Sequence, residues 1–175
     1  MAIYRDTAVV LRSMDIGEAD KLLTLFGRYH GKFKAIAKGV RRLSSRKRGH
    51  LETFSVCRIS CAEGKSLDIV VEAASDSYVD LDGIKTNSIS RLGFATRVLE
   101  KLLPEEVPDR ELFDDWVQYL KGQYDFVSTN GFVLNVLEKT GFLSTKVGDI
   151  WKENLESEKT FTQMKKWFEK IVDMT

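Results

Sequence analysis

The chain has 175 residues with 43% apolar and 30% charged residues, enough apolar content for a buried core and too much for a globally disordered chain. Lys plus Arg is 27 and Asp plus Glu is 26, a net charge of +1 that taken alone argues against a nucleic-acid partner. No apolar run approaches the ~20 residues that span a bilayer, the N-terminus lacks an apolar signal core, and two cysteines are too few for a disulfide scaffold. These features point to a cytoplasmic protein with reduced thiols.

The charge is unevenly spread. From Lys21 through Leu51 there are ten Lys or Arg and no Asp or Glu. Residues 1–80 carry a net +4 and residues 81–175 a net −3. A sign difference between halves is a clue to an anionic partner of the first half.

The first half reads as short strands. Ala8–Leu11 and Lys21–Phe26 are β-rich runs separated by the turn-like Ser13–Gly17. Gly27 and Gly31 bracket a turn into Lys32–Lys38. Alternation along that strand puts Phe33, Ala35 and Ala37 on one face and Lys32, Lys34, Ile36 and Lys38 on the other. Gly39 ends it, and a basic loop follows with Arg41, Arg42, Arg46, Lys47 and Arg48. Phe54–Cys61 and Leu67–Ala74 are the fourth and fifth runs, the last with Leu67, Ile69 and Val71 inward. Five strands in so short a span suit a closed barrel without edges. An OB-type Greek-key barrel is the first candidate, and an SH3-like barrel fits the pattern almost as well.

The second half reads as helices. Ile89, Leu92, Thr96, Leu99 and Leu103 recur on one helical face and Pro104 stops it. Pro108-Asp109 opens a second helix with Leu112, Trp116, Val117 and Leu120 inward, ended by Gly122. A third runs from about Thr129 to Thr140 with a C-terminal cap at Gly141. A capping-box pattern, Thr160 to Gln163, opens the last. The chain is therefore α+β: a five-stranded OB-type barrel over residues 1–80, then a small helical domain over 81–175, with the boundary near Tyr78–Lys85.

The basic block carries the functional reading. Lys32, Lys34 and Lys38 on one strand face, beside Arg41, Arg42, Arg46, Lys47 and Arg48, form a contiguous positive surface that binds phosphate backbones through counterion release. Arg28 adds charge and Tyr29 is an aromatic available for base stacking; Phe54 is a second, with the core as its other destination. Nothing indicates base-edge readout, so binding is expected to be independent of sequence. His30 and His50 have no carboxylate or cysteine at ligand spacing. Cys57 and Cys61 are ~13 Å apart along one strand face, too far for one metal ion, so both are expected in the core. No metal, cofactor or small-molecule substrate is expected. Glu105-Glu106-Val107-Pro108-Asp109 reads as a loop with favourable charge at a helix N-terminus. No catalytic motif appears, so the expectation is a binding protein and not an enzyme.

Thr7–Arg12, Gly17-Glu18-Ala19-Asp20, Leu25-Phe26, Gly31-Lys32, Ala37–Arg42 and Leu51–Phe54, in this order and spacing, resemble the N-terminal domain of the bacterial RecO family of DNA repair proteins. Leu99–Leu103 and Phe132–Phe142 resemble the family's helical segments. The resemblance implies an OB barrel and a helical domain, and binding of single- and double-stranded DNA. It implies annealing of complementary strands and contact with the single-strand-binding protein's C-terminal tail. With RecR it implies help in loading the RecA recombinase. Many members carry a four-cysteine zinc module after the segment matching Gly141-Phe142. Here Leu143–Lys159 holds no cysteine, so the expectation is a shortened member without zinc. Family members also often carry arginines where Asn130 and Gly131 stand here, which puts the tail contact in question, with Arg91, Arg97 or Lys101 as substitutes. The rival reading is an interaction adaptor that docks RecR or the single-strand-binding protein and binds DNA weakly.

Overall fold

The computed structural model describes the chain apart from Met1, Arg48, Tyr78, Asp80, Asp82, Gly83 and Thr175, and apart from the side chains of Thr145 and Met174. Among the described residues there are five strands: β1 (Ile3–Ile16), β2 (Asp20–Gly27), β3 (Gly31–Ala37), β4 (Val56–Ala62) and β5 (Asp68–Ser77). Five helices follow: α1 (Thr86–Leu102), α2 (Arg110–Leu120), α3 (Phe126–Lys139), α4 (Thr145–Lys152) and α5 (Glu158–Met174).

The strands pair in the order β1-β2-β3-β5-β4, and β4 returns to β1, which closes the sheet into a barrel. All pairings are antiparallel except a short parallel seam of β3 with β5 at Ala35–Asp68 and Ile36–Ile69. This Greek-key order is the OB arrangement and separates it from the SH3-like alternative. β1 serves two neighbours because it is long and irregular: Ile3–Val9 pairs with β4, Ala8–Ile16 pairs with β2, and the register shifts between Val10 and Arg12.

The barrel interior follows the alternation read from sequence. Phe33, Ala35 and Ala37 point inward, with Ala8, Val10, Leu23, Leu25, Cys57, Ile59 and Cys61. Each buried large aliphatic or aromatic side chain contributes roughly 1.5–3 kcal/mol. Val40 and Leu51, from the loop between β3 and β4, enter the same core. One inward assignment fails. Val71 is exposed and Val70 is fully buried. The β4–β5 register shifts between Ser60 and Cys61: Ser60 lies opposite Glu72 but Cys61 lies opposite Val70. Val71 is the extra residue of a bulge, and a one-residue slip exchanges the two faces.

Two compact units are formed, residues 1–79 with 104–117, and residues 80–103 with 118–175. The segment 104–117 thus groups with the strands, although its sequence reads as part of the helical half. Glu105 bridges Lys32 in parallel, and the Glu106 N–H donates to the Lys32 carbonyl at 2.8 Å. Asp109 opens α2, its side chain accepting the Leu112 N–H at 2.9 Å.

In the second unit α3 packs against α1, α4 and α5. α3 starts three residues before the expected Thr129, capped by Asp125, whose Oδ1 accepts the Ser128 N–H at 2.8 Å. It ends as expected at Gly141, where Gly141 and Phe142 N–H donate back to Glu138 and Leu137 in a Schellman motif. α5 begins before the expected capping box: Ser157 Oγ accepts the Lys159 N–H, and Thr160 is buried in the first turn. Ile89 on α1 is exposed rather than inward. α4 was not expected; eight residues with three apolar side chains are too short to show a period.

Candidate nucleic-acid interface

The loop joining β3 to β4 is anchored at both ends. Gly39 adopts a left-handed φ of 64° and its N–H donates to Asp20 Oδ1 at 2.7 Å, which turns the chain out of β3. Val40 and Leu51 then hold the two ends in the barrel core. Arg41 is tied to the β1–β2 turn: its N–H donates to Ala19, its Nη1 to the Gly17 carbonyl at 3.2 Å, and its Nε lies 3.2 Å from the Asp15 carboxylate. Lys21 donates to both Glu52 oxygens at 2.7 and 2.8 Å.

The basic residues expected to meet phosphates divide by environment. Lys34, Lys38, Arg41, Arg42 and Arg46 are exposed. Lys34 faces Glu105 at 3.7 Å, an exposed pair of the kind worth at most about 1 kcal/mol. Lys32 departs from the expectation: it is 8% exposed, covered where 104–107 pairs along the start of β3. Lys47 also turns inward. Its Nζ donates to the Val70 carbonyl at 2.8 Å, and burial lowers its pKa below the usual lysine value. Arg48 lies outside the described residues. Arg28 is ion-paired with Asp114 at 2.6 Å.

Tyr29 is half exposed on the β2–β3 turn, with the Arg110 guanidinium 4.7 Å from its ring centroid. The turn is built on Asp6, a buried side chain of β1 that accepts the Tyr29 and His30 N–H groups at 3.0–3.2 Å and lies 2.8 Å from His30 Nδ1. Phe54 is buried with a φ of 72°, so it belongs to the core and not to a stacking surface. His50 Nδ1 lies 2.9 Å from Ser75 Oγ. Cys57 and Cys61 are buried free thiols, each pushed up to about 12 chiefly by burial. Among the described residues, no group of three or more His, Cys, Asp or Glu could hold a metal ion, and no helix is long and apolar enough to cross a membrane.

Sequence reasoning passed over two cations. Arg5 on β1 and Arg58 on β4 are exposed and line one open groove of about 610 Å³ on the outside of the barrel. They are single charges more than fifty positions apart, so no run announces them. Alternation gave the signal: both occupy outward positions of apolar strands.

In the second unit Asn130 is fully buried, its Nδ2 donating to the Leu155 carbonyl at 2.7 Å. Arg91 lies 4.6 Å from the centroid of Phe126 and donates to the Tyr124 carbonyl, and Arg97 lies 5.6 Å from that of Phe168. Arg91 is thus half-buried against its neighbours, whereas Arg97 is an exposed charge beside Phe168.

Residues 1–78 match the family described as recombination protein O N terminal. A DNA repair protein RecO from Pelotomaculum thermopropionicum is 35% identical over 153 residues, covering 81% of this chain and 57% of that protein. RecO from Bifidobacterium adolescentis is 53% identical over 75 residues, 43% of this chain and 30% of that protein. RecO from a Nocardioides species is 46% identical over 71 residues, 41% of this chain and 29% of its own length. The chain thus spans little more than half the length of the Pelotomaculum relative and about a third of the others. The barrel strands all fall inside the matched family segment, and the chain is a RecO-like protein with a RecO N-terminal domain at residues 1–78.

Proposed function

We propose that this protein acts in DNA repair and recombination as a non-enzymatic DNA-binding protein that anneals complementary strands and helps load a recombinase, with RecR and the single-strand-binding protein as partners. The observation that carries the reading is the anchored loop after β3, which presents Lys38, Arg42 and Arg46 to solvent at one end of the barrel. Arg41 and Lys34 add charge beside them. Like-charged side chains held together on a rigid base repel one another, and an anionic backbone relieves that repulsion while releasing its counterions. Two strands on one positive surface repel each other less, which is a sufficient basis for annealing without nucleotide hydrolysis.

The test is fluorescence anisotropy of labelled oligonucleotides over a salt series, with annealing followed by energy transfer. Six phosphate contacts give a slope of log affinity on log salt of roughly −4 for single strands. Lys38→Glu with Arg42→Glu and Arg46→Glu abolishes annealing and flattens the slope. Absence of binding at low salt overturns the reading.

One observation favours the adaptor alternative: Lys32 and Lys47 are turned inward and Lys34, Arg41 and Arg28 have carboxylate or carbonyl partners, which thins the positive field. Under that reading the triple substitution leaves capture of RecR or the single-strand-binding protein unchanged and alters little else.

A further inference from the structure

We infer that the groove on the outer face of β1, β4 and β5 is a slot for an unpaired nucleotide, so that this protein engages single strands through two sites and duplexes through one. The inference rests on the DNA-binding reading above and adds a site to it.

The strand register builds the slot. Arg5 lies opposite Ser60, and Ser60 opposite Glu72; in the next row Thr7 lies opposite Arg58, and Arg58 opposite Ala74. Strands are spaced about 4.8 Å apart, so these rows form a small grid with the two arginines on a diagonal. Ser60, Thr7 and Ala74 are short side chains, which opens a hollow between the two arginines and Glu72. Its volume of about 610 Å³ falls within the ~300–1,000 Å³ of small-ligand pockets.

The chemistry of the lining selects the ligand. Arg5 and Arg58 supply planar forks suited to phosphate. Arg58 spends its Nε on Asp76 at 3.1 Å, in a pair whose arginine side chain is 70% exposed. Glu72, which accepts the Ser60 hydroxyl at 3.3 Å, puts a carboxylate on the β5 side of the grid. That carboxylate repels a phosphate on the β5 side, so the backbone is held at the arginines of β1 and β4 and the base is left to Tyr29. Tyr29 stands at the same groove with Arg110 against its ring. Arg28 lies farther off, 6.0 Å from the same centroid and ion-paired with Asp114, and the half-exposed ring offers a base a stacking surface that tolerates any sequence. A duplex keeps its bases stacked internally and cannot offer one to the slot.

The test compares a single strand of about twelve nucleotides, within the site size of one such barrel, with a duplex of equal length, by anisotropy on the intact chain. Tyr29→Ala is expected to weaken single-strand binding at least about fivefold, and Tyr29→Phe to restore it. Arg5→Ala and Arg58→Ala are each expected to reduce the single-strand salt slope by about 0.7. Duplex affinity stays within about twofold in all of them, whereas Arg42→Glu with Arg46→Glu weakens both forms. Thermal melting verifies that each variant is folded; Arg5 and Arg58 are exposed and Tyr29 is a half-exposed turn residue, so folding is retained. Equal losses on single strand and duplex, or unchanged single-strand binding in Tyr29→Ala, overturn the slot while leaving the basic-loop reading intact. A wild-type chain that binds neither form overturns both.

Discussion

Lys32 and Lys34 on β3, and Lys38, Arg42 and Arg46 just after it, stand in one unbroken basic run, and the fold treats them differently. The strand lysines meet the segment at 104–107, which buries Lys32 and sets Glu105 near Lys34. Lys38, Arg42 and Arg46 reach solvent, because the loop is pinned through Val40, Leu51, Arg41 and Lys47 instead. Charge density in sequence measures the cations present. Their availability is decided by where the acidic residues of the second half return in space.

The sharpest way to break this contrast is charge removal on each side of it. Replacing Lys38, Arg42 and Arg46 by alanine reduces the single-strand salt slope by about 2 and lowers affinity by more than tenfold, while Lys34→Ala moves the slope by well under one unit. Anisotropy over a salt series measures both. Equal effects erase the distinction between strand and loop.

The next effect tests what holds the turn beneath Tyr29. Asp6→Ala leaves two backbone N–H groups of the turn without their acceptor and is expected to cost about 3 kcal/mol in urea unfolding. The same substitution disorders Tyr29 and weakens single strands more than duplexes.

A smaller effect sharpens the contrast between the units. Asp125→Ala removes the cap of α3 and costs about 1 kcal/mol near neutral pH. The Ser128 backbone N–H and hydroxyl hold the Asp125 carboxyl below its ordinary value. A carboxyl depressed in the folded state contributes stability that is complete above its unfolded value and is lost as pH falls through the folded one. The stability difference between wild type and Asp125→Ala therefore shrinks in acid, below the usual carboxylate range, as denaturation midpoints at several pH values will read. A larger difference in acid than at neutrality contradicts the assignment.

The smallest effect concerns the core. With burial pushing both thiols up to about 12, Cys57 and Cys61 stay protonated at neutral pH and are sheltered from reagents. Iodoacetamide followed by mass spectrometry is expected to label them in denaturant and to leave the folded chain unmodified.

The barrel was legible wherever local alternation and tertiary packing agree. Phe33, Ala35 and Ala37 line the core as their spacing requires, and Gly141 caps α3 because the left-handed turn there favours glycine. Val71 was misplaced because a bulge changes the count of residues without changing the composition of the strand. The burial of Lys32 was invisible because its cover lies more than seventy positions away. α4 escaped because eight residues hold barely two turns. Arg5 and Arg58 escaped for the opposite reason to the loop. Their meaning lies in the pairing of Thr7 with Arg58 and Arg5 with Ser60, and no run in the sequence records a pairing.

The close approach at Gly31 has a consequence for how the chain is made. Gly31 adopts a φ of 69°, and a Cβ there would come within 2.4 Å of the Val107 backbone, so β3 accepts the later segment only at a glycine. All five strands have been synthesised by residue 77, but the stretch that covers the start of β3 arrives about thirty residues later. At ~5–20 residues per second a ribosome needs roughly one to six seconds for that interval. During it the nascent barrel carries an open strand edge beside Lys32, and a positive charge on such an edge discourages a second chain from pairing there. The lysine that ends up covered in the finished protein is thus placed to guard the unfinished one.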